Sequence, residues 1–323
     1  MSEDIGEAIV KAIDEAVINL PQKQRGHLGA SMLGKECPRA VWYDFRWVHM
    51  EKHGGRMLRL FRRGHREEPA MVEYLRMIGA TIQPFQRRLW YDRANDSYRT
   101  EPWDVDLDEK DPLPGIEYKD VTSIAYHVER AKSRRVRLEQ WRFKDGHLAG
   151  DTDGIITGLE KFGLQGRGLF ECKTVNEKGF KELAKKKVIH ANPVHFVQMQ
   201  TYMHYFRLQW ALYTSVCKND DELHAEIVVY KPEVAQYYID RAKQIAVALA
   251  PPPKINESGS WWKCKFCSNK RVCHEDQAPQ KSCRSCSFVE PKEDGIWLCH
   301  KFNGEVPEDF QRKGCDYWDP LNV

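Results

Sequence analysis

WRFKDGHLAGDTDGIITG (141–158) and, a short loop later, GLFECKTV (168–175) are the stretches whose reading decides the fold. The first reads as a β-hairpin with Asp145-Gly146 at its turn. The second is rich in apolar and β-branched residues and reads as a strand. Side chains alternate between the two faces of a strand. Glu171 and Lys173 therefore share one face, and Cys172 points the other way, into the core. Asp153 lies in Gly150-x-x-Asp153-Gly154, within the hairpin segment. Further on, PVHFVQMQTYMHYFRL (193–208) is helical by its spacing and carries Gln198-x3-Tyr202.

Outward from this centre, residues 1–20 predict a helix, followed by a loop with Pro21 and Gly26. Ser31 can cap a second helix running through Cys37 and VWYDFRW (41–47). A third helix is expected over Met57 to Ile78, stopped by Gly79. QRRLWYD (86–92), ALYTSVCK (211–218) and AEIVVYK (225–231) are strand candidates, and GFKELAKKKV (179–188) is helical. Residues 101–120 are acidic and proline-containing, which suggests a loop or insertion. PEVAQYYIDRAKQIAVALA (232–250) is a helix opened by Pro232 and stopped by Pro251 to Pro253. The expected fold class is α/β, with a mixed, mostly antiparallel sheet flanked by helices and with Asp153 and Glu171 on neighbouring strands. The expected domains are 1–275 and a Cys-rich tail, 276–323, which shows little periodicity.

The 323 residues suffice for one large domain or two modest ones, with an ordinary 41% hydrophobic and 30% charged content. No apolar run is long enough to span a bilayer, so no membrane partner is expected. The N-terminus is acidic and amphipathic and lacks the pattern of a signal peptide. A cytoplasmic location is expected, in the host cell if a bacteriophage carries the gene. There, the 10 cysteines point to metal binding before disulfides. The net charge of +3 decides little. Its distribution says more: Lys52, Arg56, Arg59, Arg62, Arg63 and Arg66 form one basic run, and residues 130–144 are also rich in Lys and Arg. Such runs suit a phosphate backbone or, equally, a solvated helix face.

The residue types in the central segments fit one chemistry. Phosphodiester hydrolysis uses a hard divalent cation held by oxygen ligands, and Asp153 and Glu171 can supply two of them. The backbone carbonyl of Cys172 can reach the same ion. Lys173 can orient or help deprotonate an attacking water, or steady the developing phosphorane charge. Each piece taken singly has a plainer explanation: an E-x-K pair on a solvated strand edge, a Gln-x3-Tyr pair in ordinary helix packing. The ordered set is far more specific.

That ordered set resembles the RecB-like PD-(D/E)XK nucleases, especially AddB-type and CRISPR-associated exonucleases and their bacteriophage relatives. The resemblance covers about residues 27–275 and departs from a minimal core around residues 100–140. It implies a divalent-metal-dependent DNA exonuclease, using Mg2+ or Mn2+, in repair, recombination or phage DNA metabolism. It also implies that His65 of FRRGHREE is a third metal ligand, with Glu68 a supplementary group one turn later. The plainer reading of His65 is a histidine in a basic patch. His27, His147 and His195 match no part of the pattern and read as structural or incidental.

The late cysteines form two sets. Cys264-x2-Cys267-x5-Cys273 supplies three close thiols, and Cys37 is the lone cysteine of the first quarter of the chain. The family resemblance joins these four as ligands of a [4Fe–4S] cluster that staples the chain ends together. Zinc in the same four thiolates is the alternative. Cys283-x2-Cys286, Cys299 and Cys315 read as a zinc ribbon or knuckle in an accessory tail, in which His300 could replace one ligand. Packed free thiols are the alternative there. Cys172 and Cys217 read as core residues.

The expected partner is DNA, with a helicase or recombination protein as a further one. The sequence has no Walker-type loop, so any helicase activity would come from another chain. A structure-specific endonuclease and a non-catalytic nucleic-acid-binding scaffold are the competing readings.

Overall fold

The computed structural model describes residues 4–22, 24–103, 118–120, 136 and 138–323. Most of the expected 101–120 insertion and much of the basic run at 130–144 lie outside the described residues. The chain is mixed α/β, with several small sheets flanked by helices. It divides into two compact units. One comprises 60–143 and 151–231; the other comprises 1–59, 144–150 and 232–323.

The first of these is built on a five-stranded sheet, whose strands are numbered here β1 (Thr81–Gln83), β2 (Gly154–Thr157), β3 (Gly168–Val175), β4 (Trp210–Cys217) and β5 (Leu223–Val229). They lie side by side in that order. Three of the four pairings are antiparallel, and only β3 and β4 run parallel. A parallel neighbour needs a long crossover. Here that crossover is a pair of helices, α2 (Glu177–Ala191) and α3 (Pro193–Phe206). The backbone of α2 leaves helical geometry at Lys187, and Asn192 caps α3 through the His195 amide. Three of the expected strands therefore become adjacent.

Helix α1 (Gly55–Met77) carries the basic run and stops before Gly79, whose φ of 91° places it in the left-handed region that glycine tolerates. Its Met71, Val72 and Leu75 pack with Ile82, Ile156, Phe170, Cys172, Leu212 and Val216 in one buried cluster. Cys172 thus faces the core, as its place between Glu171 and Lys173 dictates. Arg88–Asp92, Ser97–Glu101 and Tyr118–Asp120 make a second, three-stranded sheet with Arg88–Asp92 at its centre.

The other unit gathers helices Ile5–Ile18, Ala30–Leu33, Pro38–Phe45 and Pro232–Val247 with the cysteine-rich segments. The single helix expected from Ser31 through VWYDFRW is two helices, split at Cys37. The reason is Pro38: a residue preceding proline is pushed out of the helical region, and Cys37 is extended at φ −83°, ψ 109°. The hairpin turn falls on Gly146-His147, one residue later than expected. Gly146 has φ 55°, and a Cβ there would lie 2.3 Å from the Glu293 carbonyl oxygen, so only glycine fits. Hydrogen bonds tie the early and late segments of this unit. Trp42 Nε1 donates to the Ala248 carbonyl at 2.8 Å, and Arg39 Nε donates to that of Pro252 at 2.7 Å. No helix among the described residues is long and apolar enough to cross a membrane.

The start of β3 gives a test of this packing. A Cβ on Gly168 would meet the Trp210 ring at 2.3 Å, and that indole is pinned by a 3.0 Å hydrogen bond to the Gln165 carbonyl. Gly168→Ala should lower stability by about 1–3 kcal/mol, the usual cost of overpacking a filled site. Urea denaturation measures it, and an unchanged midpoint would mean that Trp210 is free to step aside.

Candidate functional site

The register of β2 and β3 brings the two carboxylates together. Gly154 pairs with Phe170 in an antiparallel ladder, so the preceding residue, Asp153, falls opposite Glu171. Asp153 Oδ2 accepts a 2.8 Å hydrogen bond from the Cys172 amide, which fixes it at the edge of β3. Glu171 is fully buried, and its Oε2 has no hydrogen-bond partner. Its other oxygen is ion-paired with Lys173, which shares its strand face.

The charges of this cluster act on one another. Burial pushes the Glu171 carboxyl up to about 7; Lys173 pulls it down and Asp153 pushes it further up. Burial works against the Lys173 ammonium, but Glu171 and Asp153 outweigh it and leave its pKa raised. Lys173 is therefore a fixed positive charge at neutral pH. Its side chain keeps 24% exposure, enough to reach a bound molecule.

Helix α3 closes the site. Tyr202 donates from its hydroxyl to the Asp151 carbonyl at 2.6 Å, bracing the loop that carries Asp153. Burial and the Glu171 charge raise the Tyr202 phenol, and a hydrogen bond with Gln198 moderates it. Gln198 and Tyr202, both buried, thus act as a pair on one helix face.

The sequence pattern missed His195 and Tyr213. Tyr213 is the parallel-register partner of Glu171 on β4. Its oxygen is 3.0 Å from His195 Nδ1, and Asn192 Nδ2 is 3.3 Å from His195 Nε2. Asn192 Oδ1 accepts from the His195 amide, so its Nδ2 is the donor, Nε2 accepts, and Nδ1 carries the proton toward Tyr213. Burial and the Lys173 charge depress His195 to about 3, so the ring is neutral. Only the parallel pairing of β3 with β4 reveals this array, and no motif spacing signals it.

His65 is not brought in. It is exposed on α1, and no described residue joins it to either carboxylate. Its neighbour Gly64 packs toward Thr174, on the strand face opposite Glu171 and Lys173. Glu68 stands closer, since its charge is felt at the Cys172 thiol. In the basic run, Arg59 is paired with Asp14, and Arg63 with Glu67 and Asp221. Arg62 and Arg66 are exposed, with no ion pair to a described residue.

Both cysteine sets are assembled in the other unit. Cys37, Cys264, Cys267 and Cys273 line one narrow cavity with Arg39, Lys254 and Lys270. Burial raises the Cys264 thiol, followed by the nearby Cys37 and Cys273. Cys283, Cys286, Cys299 and Cys315 line a second cavity of about 270 Å3. His300 Nε2 is 2.7 Å from Glu290 Oε2 at the surface, so Cys299 is the member of that pair that lines the cavity. His147 packs edge-on against Phe45 and Trp297, a structural role. Cys217 is buried in β4.

Among the described residues, no three His, Cys, Asp or Glu side chains already converge as a metal-ion group. The donor sets still fit their metals. Two carboxylates, one with an orphaned buried oxygen, suit a hard divalent cation, and the thiol sets suit iron or zinc.

No family model and no curated protein matches this chain. Three solved proteins show a distant structural likeness. SSO0001 is 13% identical and covers 84% of this chain and 98% of its own, at a TM-score of 0.39. An alkaline exonuclease from Laribacter hongkongensis is 14% identical and covers 73% and 90%, at a TM-score of 0.34. A phage-related exonuclease from Haemophilus somnus 129PT is 15% identical and covers 36% and 62%, at a TM-score of 0.24. Likenesses this distant do not fix the activity of the chain.

The raised Glu171 carboxyl has a measurable consequence. Below about pH 7 it holds a proton that a cation must displace; above that it is already ionised. Mn2+ binding at pH 6 should therefore release close to one proton, and at pH 8.5 almost none. Calorimetry in buffers of different ionisation enthalpy measures this. The pH dependence should vanish in Glu171→Gln, and equal proton release at both pH values would place the metal elsewhere.

Proposed function

We propose that this chain is a divalent-metal-dependent deoxyribonuclease of the PD-(D/E)XK type that digests DNA from ends. The observation that carries the reading is Glu171: a fully buried carboxylate with one orphaned oxygen, opposite Asp153 and ion-paired with Lys173. Isolated buried carboxylates are costly, and structures keep them where a bound cation repays the cost. Asp153, Glu171 and the Cys172 carbonyl would hold Mg2+ or Mn2+. The cation supplies Lewis-acid stabilisation and an activated water.

The remaining work falls to side chains. Lys173, charged at neutral pH, is suited to steadying the phosphorane charge and poorly suited to accepting a proton. Tyr202 and Gln198 hold the Asp151–Asp153 loop and so place Asp153. Arg62 and Arg66 offer a track for the phosphate backbone. The resemblance to exonucleases favours end-dependent digestion, with a helicase or recombination protein as a partner for unwinding. The Cys37, Cys264, Cys267 and Cys273 set would hold a [4Fe–4S] cluster. Its four thiols share one cavity edged by Arg39, Lys254 and Lys270, cations that suit an anionic cluster.

End-labelled linear, circular and single-stranded DNA, with Mg2+ or Mn2+ and with chelator, test the activity. Linear DNA should be digested, and chelator should stop the reaction. Asp153→Ala, Glu171→Ala and Lys173→Ala should each lose orders of magnitude in rate, with milder losses for Gln198 and Tyr202 variants. Cutting of closed circles would favour the endonuclease reading. Full activity in Asp153→Ala would remove the assignment.

The cluster is tested separately. Protein purified without air should contain iron and sulfide and absorb broadly near ~400 nm. Cys37→Ala should lose iron and unfold at lower temperature. Undiminished iron in that variant, or zinc alone in the wild type, would exclude the cluster.

A further inference from the structure

Two arginines of the cysteine-rich unit are deeply buried. Arg46 and Arg284 are each 1% exposed, and neither forms an ion pair with a described residue. Arg46 donates through Nη2 to the Val289 carbonyl at 2.9 Å, while its Nε and Nη1 have no partner. Arg284 spends its hydrogen bonds on neutral acceptors: Gln311 Oε1 at 2.8 Å and the carbonyls of Gly26 and Phe45 at 2.7 and 3.2 Å. Both guanidinium groups stack on Trp297, at 5.3 and 4.4 Å from the ring centre. Stacking and carbonyls offset part of the desolvation cost. Arg46, with two unpartnered donors, still calls for negative charge nearby.

The source at hand is the second cysteine set. The carbonyl that Arg46 binds belongs to Val289, whose own amide donates to the Cys286 carbonyl at 3.1 Å and which pairs with Cys299 in an antiparallel ladder. Cys286 is the titratable side chain that acts on the Arg46 charge; the carboxylate that acts on Arg284 is Glu308. As neutral thiols these cysteines offer no counter-charge. Four thiolates around a divalent ion carry a net charge of minus two, which the Arg46 guanidinium offsets in part. Orphaned donors on Arg46 and a four-thiol cavity lined by Val289, whose carbonyl Arg46 binds, are two separate signs of negative charge at this place.

We propose that Cys283, Cys286, Cys299 and Cys315 form a closed tetrathiolate site for one divalent metal ion of the zinc class, and that Arg46 is a counter-charge to it. The site is structural, since all four positions on the ion are taken by protein. Arg46 sits at the end of the helix Pro38–Phe45, so the metal's charge reaches the N-terminal segment and the centre is more than a local clamp on the tail. The inference does not depend on the nuclease reading.

A double-mutant cycle on the full-length protein tests it. Zinc is measured by elemental analysis after dialysis against graded chelator, and stability by thermal unfolding. Wild-type protein should hold one zinc that Cys286→Ser loses. Arg46→Met should retain zinc about 10–100-fold less tightly, the usual scale for a group that supports a metal centre from outside its ligands. Its effect on stability should depend on the background. It should destabilise the wild type but be neutral or stabilising in Cys286→Ser, where the arginine has lost its counter-charge. If Cys286→Ser does not fold, the half-buried Cys315→Ser takes its place. Equal destabilisation in both backgrounds would make Arg46 a packing residue only. A wild type holding no more zinc than the cysteine variant would overturn the site itself.

Discussion

The five-stranded unit is organised around a charge that must be kept out of water. Glu171 is fully buried, and its carboxylate is tolerated because Lys173 pairs with one oxygen from the same strand face. That arrangement requires β3 to be an interior strand. It is flanked by β2, which delivers Asp153, and by β4, which delivers Tyr213. The parallel β3–β4 pairing in turn requires the α2–α3 crossover, and α3 returns Gln198 and Tyr202 to the same place. Topology and chemistry are two aspects of one constraint.

The cysteine-rich unit solves a related problem with the opposite sign. Its buried charges are arginines, set among Trp42, Trp47 and Trp297. A segment with so little periodicity cannot rest on a large apolar core. It is held by aromatic stacking, by hydrogen bonds from Arg284 to distant carbonyls, and by thiols gathered into two cavities. In both units a polar group lacks a partner where a cation or a metal–thiolate centre would supply one: Glu171 Oε2 in the first, Arg46 Nε and Nη1 in the second.

Much of this was legible in local sequence. The alternation of GLFECKTV placed Glu171 and Lys173 together and Cys172 in the core, and the apolar cluster around Met71 and Phe170 agrees. Gly79 ended its helix, and Pro251 to Pro253 followed the end of another. The failures were also local in origin. The helix expected across Cys37 is two helices, because Pro38 holds the preceding residue out of helical geometry, and the hairpin turn lies one residue later. His195, read from sequence as structural or incidental, is buried against Tyr213 and within reach of the Lys173 charge.

The sequence by itself determined whatever depends on direction along a single element: the shared face of Glu171 and Lys173, the one-turn spacing of Gln198 and Tyr202, and the clustering of the late thiols. Period-two and period-3.6 geometry is encoded in neighbouring residues, so it can be read from them. Only the tertiary structure decided that Asp153 meets Glu171, that Tyr213 and His195 stand behind Lys173, that His65 lies outside this array, and that Arg46 binds the carbonyl of Val289, next to Cys286 and Cys299. These depend on strand register and on packing between segments far apart in the chain. Register is fixed by summed burial over many residues, which no short pattern contains.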